Sequence, residues 1–342
     1  MNTNTNTNSY DFVAAKKEYR EFCEKEQHDI QIFAQPWYLD TVCDSPDDWR
    51  VIVYKENGKI VAAFPFQYKK GKHGWWQISN PWQAARLGIW MDYGDRATNS
   101  KRETFENTVT EFVIDNLPYF DSFNVSFDAR YKNWRKFYEN GFSQETRYSY
   151  LIPSTQVKVD YLQTISRHKR KAIERAKDIF CVQNSTALEN VDDYWDFFIH
   201  SYELRNRKPA YSEKKAKRLF QEVLSEKHGR IYFAKDSEGD TCAECIVFYD
   251  SRRYYGMYGT FDPTKTDSAR ELLTYQAILD CAKDGKNYDF EGSMIPGAAQ
   301  YGRAFNPELE PYFVISKYSP RMKFYLNTRE NLNILKKWIL HR

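Results

Sequence analysis

The sequence lacks the features of a membrane protein and of a disulfide-stabilised secreted protein. No apolar run approaches the roughly 20 residues that span a bilayer, so no transmembrane helix is predicted. Only six cysteines occur in 342 residues, without a regular framework, which is typical of reduced thiols. Residues 1–9 carry neither a basic segment nor an apolar run, so we expect a flexible tail and no secretion signal. These absences predict a cytoplasmic protein.

A strong excess of charge of one sign is also missing. The 50 basic and 47 acidic residues give a formal net charge of +3. The excess lies in the second part of the chain, because 19 basic residues face 21 acidic ones up to Tyr150 and 31 face 26 beyond it. Such a balance argues against a protein that coats nucleic acid, although a local basic patch can still bind phosphates.

Several common catalytic motifs are absent as well. No serine lies in a Gly-x-Ser-x-Gly elbow and no Walker-type loop occurs, so serine hydrolases and nucleotide hydrolases are not supported. Cys242 and Cys245 have the spacing of half a zinc knuckle, but they lie in a strand pattern that points them to opposite faces. No second pair accompanies them, and the histidines occur singly. We therefore predict no metal site.

Aromatic residues, in contrast, are abundant, with 26 Tyr and 23 Phe among 17% aromatic residues. They provide ample surface for packed cores. A chain of 342 residues is long for one core, since domains commonly hold about 100–200 residues. Two domains are the expectation.

A weak internal repeat supports this division. Val51–Tyr54 and Ile60–Tyr68 flank a turn at Gly58, and Tyr232–Lys235 and Thr241–Tyr249 repeat this pattern 181 positions later (58 to 239, 68 to 249). Each hairpin is followed by a third strand, an apolar helix, a further strand and a last strand. The strands are Trp75–Ser79, Phe123–Phe127 and Tyr148–Ile152 in the first half, and Tyr254–Thr260, Tyr288–Glu291 and Tyr312–Tyr318 in the second. A crossover helix between a meander and a further strand predicts a mixed sheet in each half.

This order of elements resembles the GNAT acyltransferase fold, and two copies in tandem resemble Fem-type aminoacyltransferases and the related BioF2-like acetyltransferase domains. The supporting segments are Phe33–Leu39, Ser166–Ala172, Arg205–Pro209 and Tyr288–Ser293. The resemblance implies an α/β (α+β) protein with GNAT-like domains at residues 10–152 and 153–342. The second domain would contain a basic helical insertion at about 160–228.

The segment Tyr288–Ser293 is the predicted active-site strand. Alternation places Asp289 and Glu291 on one face, and Gly292 then releases the backbone into a loop. Ligands of open α/β sheets gather beyond the carboxyl ends of parallel strands, where Glu291 and Ser293 would lie. The alternative is a helix-strand connection whose acids only cap neighbouring amides.

The chemistry implied by the resemblance assigns roles to these residues. Amide formation needs a neutral amine, an activated acyl carbon and a donor to the developing oxyanion. We predict that Glu291 binds or deprotonates the amine, that Asp289 supports it and that Tyr301 protonates the leaving group. Arg303 would hold an anionic substrate, and Tyr258 would contact substrate unless it only packs in the core.

Two basic segments are candidate substrate contacts. Arg167, Lys171 and Arg175 recur four residues apart with Arg170 beside them, which makes a cationic stripe on one helix face. The stripe is either a phosphate-binding surface or an ordinary solvated face. A second segment forms a basic loop that either orients an acidic acceptor or is plain surface charge; its candidate residues are Arg207, Lys208 and Tyr211.

The segment before the second crossover helix bears on the acyl donor. Coenzyme A enzymes of the GNAT type carry a glycine-rich turn before the crossover helix, whereas Gly259 is the only glycine of Gly259–Glu271. Coenzyme A is therefore disfavoured. The Fem resemblance implies aminoacyl-tRNA as the donor, and no cofactor is expected to be permanently bound. The amine acceptor would be a cell-wall precursor or a related amine, with peripheral contact to a lipid-linked precursor.

Two alternatives remain open from the sequence. One is an N-acyltransferase that draws on acyl-CoA or an acyl carrier protein. The other is a non-catalytic module that binds a phosphorylated ligand. The first half is predicted to be a scaffold and acceptor platform, because Phe123–Asp128 lacks the paired acids.

Overall fold

The structure is a computed structural model that describes residues 10–25, 29–71, 73–209, 212–265, 268–292, 294 and 296–329. The helices are α1 (Phe12–Lys25), α2 (Pro36–Val42), α3 (Asn99–Asp115), α4 (Arg135–Glu139), α5 (Tyr161–Thr164), α6 (Arg167–Ile179), α7 (Asn190–Glu203), α8 (Glu213–Ser225), α9 (Ser268–Lys283) and α10 (Pro296–Arg303), with a further helix over 320–329. The strands are β1 (Trp49–Glu56), β2 (Lys59–Lys70), β3 (Trp76–Ser79), β4 (Trp90–Met91), β5 (Ser122–Ser126), β6 (Ser143–Ile152), β7 (Cys181–Ser185), β8 (Gly229–Lys235), β9 (Thr241–Tyr249), β10 (Arg253–Phe261), β11 (Asn287–Asp289) and β12 (Glu308–Tyr318).

The chain folds into two compact units. Unit 1 comprises residues 1–28, 43–146 and 312–342, and unit 2 comprises residues 29–42 and 147–311. Both mix strands and helices, which confirms the predicted α/β class.

The sheet of unit 1 has the order β1-β2-β3-β5-β12, with β4 beside β2. The first three strands form an antiparallel meander whose first turn contains Asn57 and Gly58, both with positive φ. After the crossover helix α3, β5 pairs parallel to β3. The predicted hairpin, helix and parallel strand of the first half are therefore present.

The sheet of unit 2 has the order β6-β11-β10-β9-β8-β7. Strands β7 to β10 are antiparallel neighbours, and α9 crosses over so that β11 pairs parallel to β10. One face packs against α6 and α9 in a core that includes Val247, Tyr254 and Tyr288. On β9 and β10, Phe248 and Tyr258 contact Phe220 of α8. The sheet of unit 2 is thus enclosed by helices.

The units differ from the predicted contiguous domains in three segments. Residues 29–42 lie in unit 2, although they precede the first hairpin. The last strands are exchanged, because Leu151 and Ile152 of β6 pair with β11 and Val314–Tyr318 of β12 pairs with β5. The order of strands along the chain did not predict these pairings, because a strand can pair with any open sheet edge within its reach.

Two local predictions need correction. The strand at Tyr288–Glu291 ends at Asp289, because Glu291 and Gly292 both have left-handed backbone, with φ of 61° and 47°. The helical insertion also contains β7, which extends the sheet beside β8. In the part of the chain that the structure describes, no helix is both long and apolar enough to span a bilayer.

Candidate active site

Strands β10 and β11 run side by side only briefly. Their parallel pairing covers Arg253 to Tyr255 opposite Asn287 to Asp289, after which β10 continues to Phe261 while β11 ends. On its other edge β10 is irregular, because Gly256 pairs with Val247 and Tyr258 pairs with Ile246, so that Met257 is a bulge residue. Bulges re-aim backbone groups next to active sites. The strands therefore separate at a place where β10 presents irregular backbone.

Glu291 lies on the tight turn that follows β11. Its backbone N–H donates to Oδ1 of Asp289 at 2.9 Å, which helps to hold its left-handed conformation. Gly292 is required next, because a Cβ at this position would lie 2.4 Å from the carbonyl oxygen of Tyr148. A non-glycine residue with positive φ stores strain, and such residues cluster at functional sites. The turn thus fixes the position of the Glu291 Cα and Cβ atoms.

Asp289 is fully buried and holds this turn from below. Its carboxylate accepts a hydrogen bond from Ser149 and pairs with Nη1 of Arg253 at 2.9 Å. Arg253 also binds Glu310 through both terminal nitrogens, at 2.5 and 2.8 Å. The two carboxylates raise the pKa of Arg253, although burial opposes them. With these contacts, Asp289 positions the backbone of Glu291 and does not itself face substrate.

Tyr38 is a buried tyrosine whose proton affinity responds to Glu291. Tyr38, from the segment 29–42, is fully buried. Burial is the main cause that raises its pKa well above the usual range, and Tyr258 and the negative charge of Glu291 raise the pKa further. Glu291 and Tyr258 are thus close enough to Tyr38 to affect its proton affinity. Tyr38 was not among the predicted site residues.

The opposite face at the same place carries Tyr288. Its hydroxyl lies 2.7 Å from the position that a Cβ on Gly256 would take. Burial raises the pKa of Tyr288, and Tyr301 is among the neighbouring groups that raise it further. A neutral phenol hydroxyl thus lies beside the bulged part of β10.

Tyr301 of α10 is held by Thr274. The two hydroxyl oxygens are 2.8 Å apart, and the Thr274 hydroxyl can also donate to the carbonyl of Arg270. Either hydroxyl can be the donor in this pair. Burial raises its pKa, and Glu271 adds to this effect. Tyr301 keeps its proton at neutral pH, as a leaving-group acid requires.

Cationic and aromatic side chains alternate beside Tyr301 in a stack that we call the cation–aromatic ladder. Its members are Arg205, Phe261, Arg270, Tyr301 and Lys169. The guanidinium carbons of Arg205 and Arg270 lie 4.4 and 4.7 Å from the Phe261 ring centre. Arg270 and Lys169 each lie 4.3 Å from the Tyr301 ring centre. These distances are within the range of cation–π attraction.

The ladder holds more positive than negative charge. Glu271, only 2% exposed, pairs with Lys169 and, at 3.4 Å, with Arg270. Arg205 donates to Thr260 and to the carbonyl of Phe261. Burial and then the charge of Arg270 lower the pKa of Arg205. This cluster would therefore favour a nearby anion.

The predicted basic residues are mostly on the surface. Arg167, Lys171 and Arg175 of α6 are exposed, as are Arg207, Lys208 and Arg303. Arg170 is half-buried and donates to Gln163 at 3.1 Å. Tyr211 and Ser293 lie outside the described residues. The α6 stripe thus presents charge to solvent, while its apolar side packs on α9.

The loop before α9 is organised by its own side chains. Asp262 accepts hydrogen bonds from the backbone and hydroxyl of Thr264 at 2.8 and 2.6 Å. Lys265 pairs with Asp236 at 2.6 Å and lowers the pKa of that carboxyl to about 2. Lys265 is therefore already engaged by an internal anion.

The corresponding place in unit 1 is closed. Asn80, just after β3, binds the backbone of Ser126 through both its amide nitrogen and its oxygen, at 3.2 and 2.7 Å. Leu87 bridges to Phe127, and its N–H donates to Ser126 at 2.8 Å. In unit 1 the backbone next to the parallel pair is thus occupied by Asn80 and Leu87.

Sequence reasoning did not identify three residues that shape the site. Lys169 was hidden among the other cations of α6, and Arg253 stood at a strand start without a visible partner. Tyr38 lies in the segment Phe33–Leu39, which carried the family resemblance. That segment could have drawn attention to Tyr38, but nothing in the sequence indicated the distant pairs of Lys169 and Arg253.

A family model described as an acetyltransferase (GNAT) domain matches residues 160–303. The match begins before α6 and ends with α10, so it covers β10, β11 and the turn at Glu291. A search of curated proteins gave no match.

Solved structures share the fold at low sequence identity. A crystal structure of FemX has a TM-score of 0.64 and 12% identity, covering 91% of this chain and 98% of its own. The C-terminal domain of a putative lysylphosphatidylglycerol synthetase from Agrobacterium fabrum has a TM-score of 0.54 and 11% identity, covering 92% and 95%. L-PGS from Bacillus licheniformis also scores 0.54 at 11% identity, covering 92% and 96%. These likenesses concern the fold.

Proposed function

We propose that this chain, a GNAT-fold acyltransferase, transfers an aminoacyl or acyl group to an amine acceptor at the point where β10 and β11 separate. The observation that carries the proposal is the end of their pairing at Tyr255 and Asp289, directly before the β10 bulge and the Glu291 turn. An acyl group placed there meets backbone N–H groups on one side and a carboxylate on the other.

The reaction is the attack of a neutral amine on the acyl carbonyl carbon. A tetrahedral intermediate forms, and its oxygen becomes negative before the bond to the leaving group breaks. Backbone N–H groups at the Met257 bulge are suited to stabilise that oxygen, because preorganised donors act strongly in a site that excludes water. The new carbon–nitrogen bond replaces the bond to the donor.

Glu291 accepts the proton that the attacking amine loses, directly or through a water. The left-handed turn and the Asp289 hydrogen bond hold its backbone in place. Tyr38 and Tyr258 are the aromatic residues that this proposal places near the carboxylate. The leaving group receives a proton from a phenol, for which Tyr301 and Tyr288 are the candidates.

Aminoacyl-tRNA is the proposed donor. The loop before α9 offers Asp262 and an already paired Lys265 in place of bare glycine amides, which does not suit a pyrophosphate. The cation–aromatic ladder and the exposed α6 stripe instead provide a spread of positive charge that suits a nucleic acid backbone. One structure of similar fold is named as the C-terminal domain of a putative lysylphosphatidylglycerol synthetase.

The test supplies the purified protein with aminoacyl-tRNA or acyl-CoA, together with amine acceptors that include muramyl peptides and lysyl peptides. Mass spectrometry follows the product. We expect an amide product with aminoacyl-tRNA, and we expect no product when the aminoacyl-tRNA has first been digested with ribonuclease. Glu291→Gln should retain tRNA binding and lose turnover. A product with acyl-CoA alone would contradict the proposed donor while leaving acyl transfer intact.

A non-catalytic module is the candidate from a different class. The exposed α6 stripe favours it, since Arg167, Lys171 and Arg175 could bind a phosphorylated ligand without any chemistry. This candidate predicts tight ligand binding, no product with any donor, and no effect of Glu291→Gln.

A further inference from the structure

Unit 1 contains a pocket of about 840 Å³ that shares no lining residue with the acyl-transfer residues of unit 2. Its lining comes from the residues before β1, from the end of β2 through the β2–β3 loop into β3, from the start of β5, and from the end of β12 with the helix over 320–329. The pocket is open to solvent and is large enough for a ligand of nucleotide size.

Its position in the sheet separates it from any remnant of an acyl site. The pocket is lined by Gln77 of β3 and Ser122 of β5, which lie at the starting ends of this parallel pair. The gap closed by Asn80 and Leu87 lies at the opposite, carboxyl end. The pocket is therefore a different feature of the unit.

Aromatic rings form one wall. Trp75 and Tyr325 meet edge to face with ring centres 4.6 Å apart, and His73 lies 5.8 and 5.4 Å from them. The Nε2 of His73 and the Tyr325 hydroxyl are 3.3 Å apart. Trp75 is half-buried, so its ring is fixed by these neighbours and still partly accessible. A preorganised indole of this kind can stack on a planar ligand group.

Cations lie around the same pocket. Lys69 is paired with Asp44 at 3.3 Å, whereas Lys70 and Arg329 have no ion pair with any described residue. Both are exposed. Lys70 instead lies 5.0 Å over the Trp76 ring. Two cations that lack an internal anion are suited to bind a phosphate.

Polar groups complete the lining. The Tyr318 hydroxyl accepts a hydrogen bond from Nδ2 of Asn124 at 3.1 Å, so its own proton can be donated to a ligand. Asp48 contributes a half-buried carboxylate that can accept hydrogen bonds from sugar hydroxyls. The pocket thus combines a stacking wall, acceptor and donor groups, and cations.

We propose that this pocket binds a nucleoside phosphate. The base stacks on Trp75, sugar hydroxyls donate to Asp48, and the phosphate lies between Lys70 and Arg329. Each part of such a ligand meets a group of matching chemistry. The proposal does not depend on the acyl-transfer chemistry, because the two sets of residues lie in different units.

Isothermal titration calorimetry of the full chain with AMP and with UMP tests the proposed nucleotide site. Adenosine and inorganic phosphate serve as partial ligands. We expect saturable binding of a mononucleotide and clearly weaker binding of either part alone. Trp75→Leu should weaken binding by at least about fivefold, as loss of base stacking does. The double variant Lys70→Ala/Arg329→Ala should weaken it and reduce its dependence on salt.

Matched variants outside the pocket keep the test specific. Tyr138→Leu removes an exposed aromatic residue of α4, and Lys101→Ala removes an exposed cation of α3. Both should bind mononucleotides as the parent does. Circular dichroism checks that each variant is folded. Failure of both mononucleotides to bind, equal binding of inorganic phosphate, or binding unchanged by the pocket variants would each overturn the proposal.

Discussion

The hydroxyl of Tyr288 lies over Gly256, 2.7 Å from where a Cβ of that residue would be. This close approach joins β11 to the bulged region of β10 from the face that packs on α9. Gly256 is therefore needed because a side chain would collide with Tyr288, and not because its φ is unusual.

Gly256→Ala should lower the free energy of unfolding by about 1–3 kcal/mol, because overpacking of a filled core forces buried groups to shift. Chemical denaturation measures this. The double variant Gly256→Ala/Tyr288→Phe removes the hydroxyl and should recover most of the loss, since the next ring atom is 3.3 Å away. Additive losses in the double variant would show that the contact is not the cause.

Glu291→Gln should reduce kcat by about 10²–10⁴-fold, because a general base usually contributes a rate factor of that size. Donor binding should change little. Glu308→Gln, an exposed acid at the start of β12, is the control. Glu291→Gly should also abolish turnover but raise stability slightly, because glycine adopts the left-handed backbone without strain. Full activity of Glu291→Gly would remove the carboxylate from the mechanism.

Arg253→Met should destabilise the protein by about 3–5 kcal/mol, because it leaves the fully buried Asp289 without its cation. The neighbouring Arg252 pairs with Asp29 but is half exposed, so Arg252→Met should cost only about 0–1 kcal/mol. Thermal unfolding of the two variants gives the comparison. Equal effects would mean that burial of the pair does not matter.

Glu244 of β9 is fully buried, and in the described part of the protein neither carboxyl oxygen has a hydrogen-bond partner. Burial raises its pKa well above the usual value. The folded state therefore binds a proton that the unfolded state has released, and stability falls as pH rises above about 4.5, the ordinary range of a glutamate.

Glu244→Met should accordingly raise the free energy of unfolding at pH 7 by about 1–3 kcal/mol. The gain should shrink as pH approaches the ordinary glutamate pKa from above. Urea unfolding at several pH values measures it, with the exposed turn residue Glu238→Met as control. A gain that is independent of pH would contradict the titration of Glu244.

Much of the fold was predictable because hairpins and amphipathic helices are local. The turn at Asn57 and Gly58 and the alternation along β9 follow from neighbouring residues, so their positions matched the prediction closely. The two acids Asp289 and Glu291 were also visible in the sequence. The sequence did not show that their environments differ, because Asp289 pairs with Arg253, which lies 36 positions away.

The sequence by itself determined the order of strands and helices, the two-part plan and the presence of a strand directly before Glu291, since each depends on periodicity and turn residues. Only the tertiary structure decided which unit received residues 29–42 and the last strands, and which cations lie in the cation–aromatic ladder. Those outcomes depend on contacts between distant segments, whose free energy is set by packing and charge pairing in three dimensions.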